Sequence, residues 1–264
     1  MAKIVRTKNN QQQEIVKLLN AMTGKFSLWQ IWQDFITLMA ISLANRFPGP
    51  YWQKREDEYL NTIKKYSAAE QQTFSNMLAL LVDGLDRNPD QDFLGELFMA
   101  LELGSNWTGQ FFTPYHVCQM MARVAGLEQV KNDCAERGWA CVNDPACGAG
   151  ATLIAFANEC RAAGINYQKK VLFTGQDLDR LAGRMCYIQL SLLGCPGYVV
   201  IADTLAHPAR SYDKKALLPV AGQDVWYTPM YYSDTWSGRQ LAAKLDLLIS
   251  APVKEPASVG LLFF

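Results

Sequence analysis

The sequence lacks the features that usually mark metal-binding proteins. It has only two histidines, His116 and His207, and none of its seven cysteines forms a Cys-x-x-Cys pair. Structural zinc is most often held by such pairs, so the sequence predicts no metal site. The shortage of histidines also disfavours mechanisms that depend on a histidine base.

An excess of either charge is also missing. The chain has 25 basic and 25 acidic residues among 264, and half of its residues are hydrophobic. This composition excludes disorder and a broad basic surface, so any contact with nucleic acid must come from a local patch or a partner chain. The length allows one large domain or two modest ones, and we expect two.

No apolar run is long enough to cross a membrane. The best candidate, residues 27–47, contains Gln30, Gln33 and Asp34 in its first half. A membrane-spanning helix needs about 20 mainly apolar residues. The N-terminus lacks the apolar run of a signal peptide, and an odd number of cysteines, several in apolar runs, is typical of reduced, buried thiols. We therefore expect a soluble, cytoplasmic protein.

The N-terminal part of the sequence has the spacing of helices. Apolar residues recur at three and four between residues 28 and 39, which predicts a helix that ends before Pro48. Ser67 followed by Glu70 predicts a capping box at the start of a second helix. Asp90 is a candidate cap for a third helix over residues 92–103.

After Gly104, short apolar runs alternate with helical segments. The predicted strands are residues 139–143, 171–174, 198–202 and 245–249, and the predicted intervening helices cover residues 151–163 and 180–193. Such alternation predicts an α/β fold with a doubly wound parallel sheet, whose ligand lies at the carboxyl ends of the strands. We therefore expect a helical domain at residues 1–104 and an α/β domain at 105–264. Residues 207–240 would form a long excursion before the fourth strand.

A glycine turn and three acids lie where these strands end. Residues 144–150 read Asp-Pro-Ala-Cys-Gly-Ala-Gly, between the first predicted strand and its helix. Glycines let a ligand approach the backbone, and the helix N-terminus offers unpaired N–H groups. Asp177 and Asp203 end the next two strands and could accept hydrogen bonds from a ribose and an adenine amino group. Each acid alone would more often be a turn or cap residue, but together with Asp144 they favour a nucleoside cofactor.

NAD is the competing ligand for such a fold. Its Gly-x-Gly-x-x-Gly pattern is incomplete here, because Thr152 and Leu153 follow the second glycine. The sequence therefore favours another nucleoside cofactor.

The order of these motifs resembles that of N6-adenine DNA methyltransferases, in particular the modification subunits of type I restriction systems. The matching segments are Gly-Gln-Phe-Phe-Thr-Pro at 109–114, the glycine turn, Gly-Gln-Asp at 175–177, Ala-Asp-Thr-Leu at 202–205 and the apolar run at 245–249. The resemblance covers residues 105–253, and the N-terminal part resembles the helical domain that precedes these motifs in the family.

This resemblance implies S-adenosylmethionine (SAM) as cofactor. It places Phe112, Thr113 and Pro114 at the methionine end of SAM, Asp177 at the ribose and Asp203 at the adenine. The remaining implied cofactor-binding residues belong to the turn that would hold the amino-acid portion: Asp144, Pro145, Ala146, Gly148 and Gly150.

The family's catalytic Asn-Pro-Pro-aromatic motif is altered. Ser250, Ala251, Pro252 and Val253 occupy its place, so Ser250 and Pro252 are the remaining candidate catalytic residues. In the family motif, the Asn oxygen and a backbone carbonyl bind the adenine amino group, and the aromatic ring stacks on the flipped base. Base stacking alone is worth about 1 to 3 kcal/mol. Catalysis by this segment should therefore be severely weakened.

The segment after the predicted fourth strand is short. Only 11 residues follow Val253, whereas a parallel crossover needs about a dozen or more. We therefore expect a sheet truncated after that strand, with an exposed edge that the tail, the 207–240 excursion, a second copy or another subunit would cover.

The sequence leaves three classes of function open. The chain could be an adenine-N6 DNA methyltransferase, an inactive relative that binds SAM, DNA or protein, or a methyltransferase for RNA, protein or a small molecule. Expected partners are DNA, bound weakly by this chain alone, and a specificity or restriction subunit.

Overall fold

The computed structural model describes Thr7, residues 9–103 and 112–249, and the backbone of residues 257–258. Within these residues, seven helices precede the first strand. They are α1 (Asn10–Met22), α2 (Leu28–Ala44), α3 (Trp52–Ile63), α4 (Ala68–Arg87), α5 (Phe93–Ala100), α6 (Tyr115–Ala125) and α7 (Glu128–Arg137).

Two of the predicted helix starts can be compared with the structure. The capping box is confirmed: Ser67 and Glu70 each bind the other's backbone N–H at the start of α4. The prediction that Asp90 caps α5 is wrong, because the side chain of Asp92 accepts the hydrogen bond from Gly95 N. Asp90 instead accepts hydrogen bonds from the side chains of Tyr115 and Gln119.

The second part of the chain contains the predicted alternation of strands and helices. Its elements are β1 (Ala140–Asp144), α8 (Ala151–Ala162), α9 (Tyr167–Lys170), β2 (Val171–Asp177), α10 (Arg180–Leu192), β3 (Gly197–Ile201), β4 (Arg210–Ser211), β5 (Val225–Tyr227), a 3₁₀ helix (Pro229–Tyr232), α11 (Asp234–Ile249) and β6 (Ala257–Ser258). The predicted α/β class is confirmed.

The main sheet has four strands in the order β1-β2-β3-β5. The first three are parallel, with Asp144 opposite Gly175 and Asp177 opposite Ile201, and β5 is antiparallel to β3. A separate two-stranded sheet pairs β4 with β6. The carboxyl ends of β1, β2 and β3 therefore meet along one edge.

The prediction of a strand at residues 245–249 is wrong. These residues form the end of α11, and the fourth strand of the sheet is β5, inside the predicted excursion. Residues 245–249 contain four apolar residues and Asp246, and so short a segment cannot distinguish a strand from a helix. It follows residues 240–244, which are rich in strong helix formers. The helix leaves Leu248 and Ile249 78% and 84% exposed.

Both faces of the parallel sheet are covered. Alternate strand residues point to opposite sides: Val142 and Phe173 belong to the cluster that includes α8 and α10, and Cys141 and Leu172 to a smaller one around Trp236 of α11. The larger cluster also contains buried residues of α1, α2, α4 and α5. The N-terminal helices therefore share a core with the sheet.

A buried charge joins the N-terminal helices to α10. Arg184 is 4% exposed, donates to both carboxylate oxygens of Glu58 at 2.7 and 2.9 Å, and donates to the Thr37 hydroxyl at 2.9 Å. Burial lowers the pKa of Arg184, while Glu58 opposes that shift. The nearby Arg55 guanidinium lies 3.9 Å from the ring centroid of Trp226.

All seven cysteines are free, and all except the half-buried Cys134 are buried, which confirms the prediction of unpaired, mostly buried thiols. Among the described helices, none combines the length and the apolar character needed to cross a membrane. The described residues contain no group of three or more His, Cys, Asp or Glu side chains suited to a metal ion.

Candidate cofactor site

The turn between β1 and α8 depends on its two glycines. Gly148 has φ +52° and Gly150 has φ +96°, a region that residues with a Cβ rarely adopt. Space is short as well, because a Cβ at Gly148 would lie 3.0 Å from Cδ1 of Phe112, and one at Gly150 would lie 2.9 Å from Sγ of Cys186. A residue with a Cβ would therefore strain the turn at either position.

Asp144 braces the turn from its first residue. It is 8% exposed, and its carboxylate accepts hydrogen bonds from Ala146 N at 3.0 Å and from the Thr152 hydroxyl in the first turn of α8. The predicted site residue Asp144 therefore lies in the turn, with both oxygens engaged there. Thr152 was not identified from the sequence as part of this arrangement.

Asp177 joins β2 to the same turn. Its Oδ2 accepts a hydrogen bond from Gly148 N at 2.8 Å, and its Oδ1 accepts one from Asp179 N at 2.8 Å. Burial raises the pKa of Asp177, and these two backbone bonds act in the opposite direction. A carboxylate offers about four acceptor positions, and the described residues use two of those of Asp177.

Asp203 follows β3, and its Oδ1 accepts hydrogen bonds from Leu205 N at 2.8 Å and Ala206 N at 3.1 Å. The bonds from Ala206 and Leu205 lower the pKa of Asp203 and keep it ionised. Among the described residues, none donates a hydrogen bond to its Oδ2.

Backbone and hydroxyl contacts tie the strand ends together. The Thr204 hydroxyl donates to Pro145 O at 2.5 Å, and Cys147 N donates to Gln176 O at 2.9 Å. The Gln176 side chain donates to the carbonyls of Ala202 and His207. Thr204 and Gln176 lie inside the motifs that the sequence analysis used, but no residue pattern distinguishes them from ordinary neighbours.

Of the predicted residues at 112–114, Phe112 reaches the turn, where its ring lies against Gly148. Thr113 and Pro114 are exposed at the start of α6. Residues 109–111 of the same motif, and the candidate catalytic residues Ser250 and Pro252, lie outside the described residues.

Two exposed leucines flank the acids on this edge. Leu178 follows Asp177 and is 70% exposed, and Leu205 lies two residues after Asp203 and is 96% exposed. The edge thus offers carboxylate oxygens beside apolar side chains, a combination that suits a nucleoside. A separate polar cavity of about 330 Å³, lined by residues including Asp90 and Glu159, contains none of the strand-end acids.

The protein has a mixed α/β fold in which a glycine turn and acidic side chains lie at the carboxyl ends of three parallel strands. The profile of the N-6 DNA methylase family matches residues 96–253. This match covers more than half of the chain, and the protein therefore belongs to that family. No curated protein matches the chain.

Two solved structures resemble the protein at low identity. A putative class I SAM-dependent methyltransferase from Listeria monocytogenes is 14% identical, with a TM-score of 0.45 over 90% of this chain and 80% of that one. The methyltransferase subunit of a type I restriction-modification system from Streptococcus thermophilus is 17% identical, with a TM-score of 0.41 over 76% of this chain and 45% of that one.

Proposed function

We propose that the carboxyl edge of β1, β2 and β3 binds SAM, and that the chain is the cofactor-binding part of an adenine-N6 DNA methyltransferase. The observation that carries this proposal is the bond between Asp177 and the Gly148 backbone, because it puts a carboxylate with two remaining acceptor positions beside a glycine turn. Membership of the N-6 DNA methylase family supports both the cofactor and the reaction.

The proposed assignment follows the order of the strands. Asp177 would accept hydrogen bonds from the two ribose hydroxyls and Asp203 one from the adenine amino group, with Leu178 and Leu205 beside the base. The glycine turn from Asp144 through Pro145 and Ala146 to Gly150, and residues 112–114, would bind the methionine portion. SAM, when bound, supplies an electrophilic methyl group, and this chain's residues would bind and orient it.

The chemical step is proposed to be slow. In Ser250-Ala251-Pro252-Val253, the hydroxyl of Ser250 can accept a hydrogen bond but extends less far from the backbone than the amide oxygen of an asparagine. Val253 has no aromatic ring to stack on a flipped adenine. This observation favours a second candidate, a protein that binds SAM but transfers no methyl group and acts through DNA or protein partners.

We also propose the expected division into a helical domain at 1–104 and a methyltransferase-like domain at 105–264, and a partner for the second. Residues 245–249 are helical and form no sheet edge for a partner to cover. One other feature supports a partner: α11 ends in the exposed side chains of Leu248 and Ile249. A specificity or restriction subunit or a second copy would fit there.

Free cysteines favour a reducing compartment such as the cytoplasm.

Two measurements test the proposal. The full chain is titrated with SAM and with S-adenosylhomocysteine by calorimetry, and methyl transfer to adenine is then followed with tritiated SAM and duplex DNA. We expect saturable binding of both ligands and little transfer. Absence of binding heat and of any thermal shift at about millimolar ligand, where even a weak site would be half filled, would contradict SAM binding.

A further inference from the structure

One buried side chain connects the glycine turn to the N-terminal helices. Gln189 of α10 is 0% exposed. Its Nε2 donates to the carbonyl of Ala149 at 2.9 Å and to Oδ1 of Asp92 at 2.8 Å, and its Oε1 accepts from Leu94 N at 3.0 Å. Both amide donors and one acceptor position are therefore used in the protein interior.

The contact with Ala149 lies at the part of the turn where the backbone has an unusual conformation. Ala149 lies between Gly148 and Gly150, both at positive φ. Since a peptide unit is planar, holding the Ala149 carbonyl also fixes the direction of the Gly150 N–H, which donates to Cys147 O at 2.7 Å. Gln189 thus holds the orientation of the peptide unit that joins Ala149 to Gly150.

At its other end, Gln189 reaches the start of α5. Asp92 caps that helix through the same Oδ1 that accepts from Gln189, and Leu94 lies in its first turn. A second contact runs in parallel: the ring of Phe98 in α5 lies 5.3 Å from the ring of Phe112, which packs against Gly148. Helix α5 therefore supports the turn through one polar and one aromatic connection.

We propose that Gln189 is a positioning residue for cofactor binding, which holds the glycine turn in its binding geometry and makes α5 part of the site. The inference rests on the proposed binding of SAM. Gln189 is fully buried and would affect the cofactor indirectly, through its hydrogen bond to the Ala149 carbonyl.

The test compares Gln189→Leu with Gln12→Leu in the full chain. Gln12 is a matched control, because it is 1% exposed and binds the same region, donating to Phe93 O at 3.0 Å. Gln189→Leu removes all three hydrogen bonds of this side chain, but only the bond to Ala149 O holds the turn. We therefore expect the Kd for S-adenosylhomocysteine to rise about tenfold, which corresponds to one buried hydrogen bond. We also expect faster hydrogen exchange in the peptide covering residues 144–150. Gln12→Leu should lower the melting temperature and change neither quantity.

A double variant separates positioning from stability. In Gln189→Glu with Asp92→Asn, the amide and the carboxylate exchange places, so the bond between the two residues can re-form with the same total charge, but Ala149 O has no donor. We expect the melting temperature to recover toward that of the unmodified protein, while weak binding and fast exchange at 144–150 persist. Recovery of binding in the double variant, or unchanged exchange in Gln189→Leu, would show that Gln189 only stabilises the fold. If the unmodified chain binds no cofactor, the proposed function fails, and the exchange data still decide whether Gln189 holds the turn.

Discussion

The Asp177 carboxylate accepts a hydrogen bond from the Gly148 backbone N–H at 2.8 Å, and this contact links the end of β2 to the turn after β1. A second side-chain-to-backbone link has the opposite direction: the hydroxyl of Thr204, after β3, donates to the carbonyl of Pro145. The ends of three strands are thus connected through the glycine turn. A substitution that breaks one of these hydrogen bonds should therefore also affect the positions of the other strand ends.

Replacing Asp177 tests the central residue of the proposed site. Asp177→Asn removes the negative charge and replaces one of the two acceptor oxygens with an NH₂ group. In the unmodified protein, Oδ2 of Asp177 accepts the hydrogen bond from Gly148 N. We expect SAM affinity to fall by about 1.5 to 3 kcal/mol, the range for hydrogen bonds to charged groups. Calorimetry gives this value directly.

Asp213→Asn is the matched control for that change. Asp213 also accepts backbone hydrogen bonds, from Lys215 N and Leu218 N, but it lies in the segment between β4 and β5. It should leave SAM affinity unchanged. An equal loss of affinity in both variants would show that the Asp177 effect is a general loss of stability.

The pKa of Asp177 predicts a pH dependence of binding. Burial raises this pKa above the ordinary value, and the ionised form is the one that accepts hydrogen bonds from ribose. Affinity should therefore be constant at neutral pH and fall as the pH drops through the raised pKa, by up to about tenfold per pH unit below it. For folding the sign is opposite, because ionising a carboxyl with a raised pKa reduces stability as the pH rises through that pKa.

Titrations from about pH 7.5 down to the ordinary Asp pKa of about 3.9 would measure this dependence. Asp177→Asn should bind weakly at every pH and show a flatter profile. An unmodified protein whose affinity does not change over this range would contradict the role of Asp177 as an ionised acceptor.

Gly150→Ala should destabilise the fold more than an alanine at another glycine with a similar positive φ. Gly150 and Gly222 have φ +96° and +89°, but only Gly150 is crowded, with the Cα of Cys186 3.3 Å and its Sγ 2.9 Å from an added Cβ. The strain at positive φ costs of order 1 kcal/mol or more at either position, and the contact with Cys186 adds to it at Gly150. Urea unfolding of the two variants gives the difference, and equal losses would contradict crowding by Cys186.

Local patterns predicted the parts of the fold that depend on neighbouring residues. Ser67 and Glu70 cap α4 because their interaction is local, and the alternation around Asp144 and Asp177 identified the three parallel strands. The choice between Asp90 and Asp92 as a cap could not be made, because acids of equal capping preference lie two residues apart and tertiary contacts with Tyr115 decide between them.

Long-range contacts account for what the sequence left undetermined. The run at 245–249 has no period that separates helix from strand, and β5 is only three residues long. Gln189 is an ordinary polar residue in a helical segment, and its importance depends on Ala149, 40 residues away. The proposed cofactor residues were found because glycine and aspartate at strand ends have a recognisable chemical pattern, whereas the side chains that support them do not.

Removing the charge of Glu58 should strongly destabilise the contact between α3 and α10. Glu58→Gln leaves the guanidinium of Arg184, which is 4% exposed, without an ionic partner. Breaking a buried pair costs about 3 to 5 kcal/mol, and we expect the lower end because the Glu58 side chain is 33% exposed. In the control, Glu14→Gln removes an exposed pair with Lys17 and should change stability little. Similar unfolding free energies for the two variants would contradict a stabilising role for the Arg184 pair.

The altered catalytic segment leads to the last prediction, which separates a weakened enzyme from a binding protein. Each changed position removes a different contribution to adenine binding: the amide acceptor at Ser250, the rigid carbonyl at Ala251 and the stacking surface at Val253. Residues that act as one unit do not contribute additively, so restoring one of them alone should help little. The informative variant is therefore the triple change Ser250→Asn, Ala251→Pro and Val253→Phe.

We expect the triple variant to transfer more tritiated methyl groups to adenine in DNA than the unmodified chain, at equal SAM affinity. The same variant with Asp177→Asn is the control, because its transfer should fall with its cofactor binding. A triple variant that binds SAM but remains inactive would favour the binding protein. Efficient adenine methylation by the unmodified chain would contradict the proposed weakening. The aromatic residues Tyr227 and Tyr231 would not account for it, since Tyr227 pairs with Tyr198 near the start of β3, opposite to the end that Asp203 follows, and the Tyr231 hydroxyl is bound to Leu217 O.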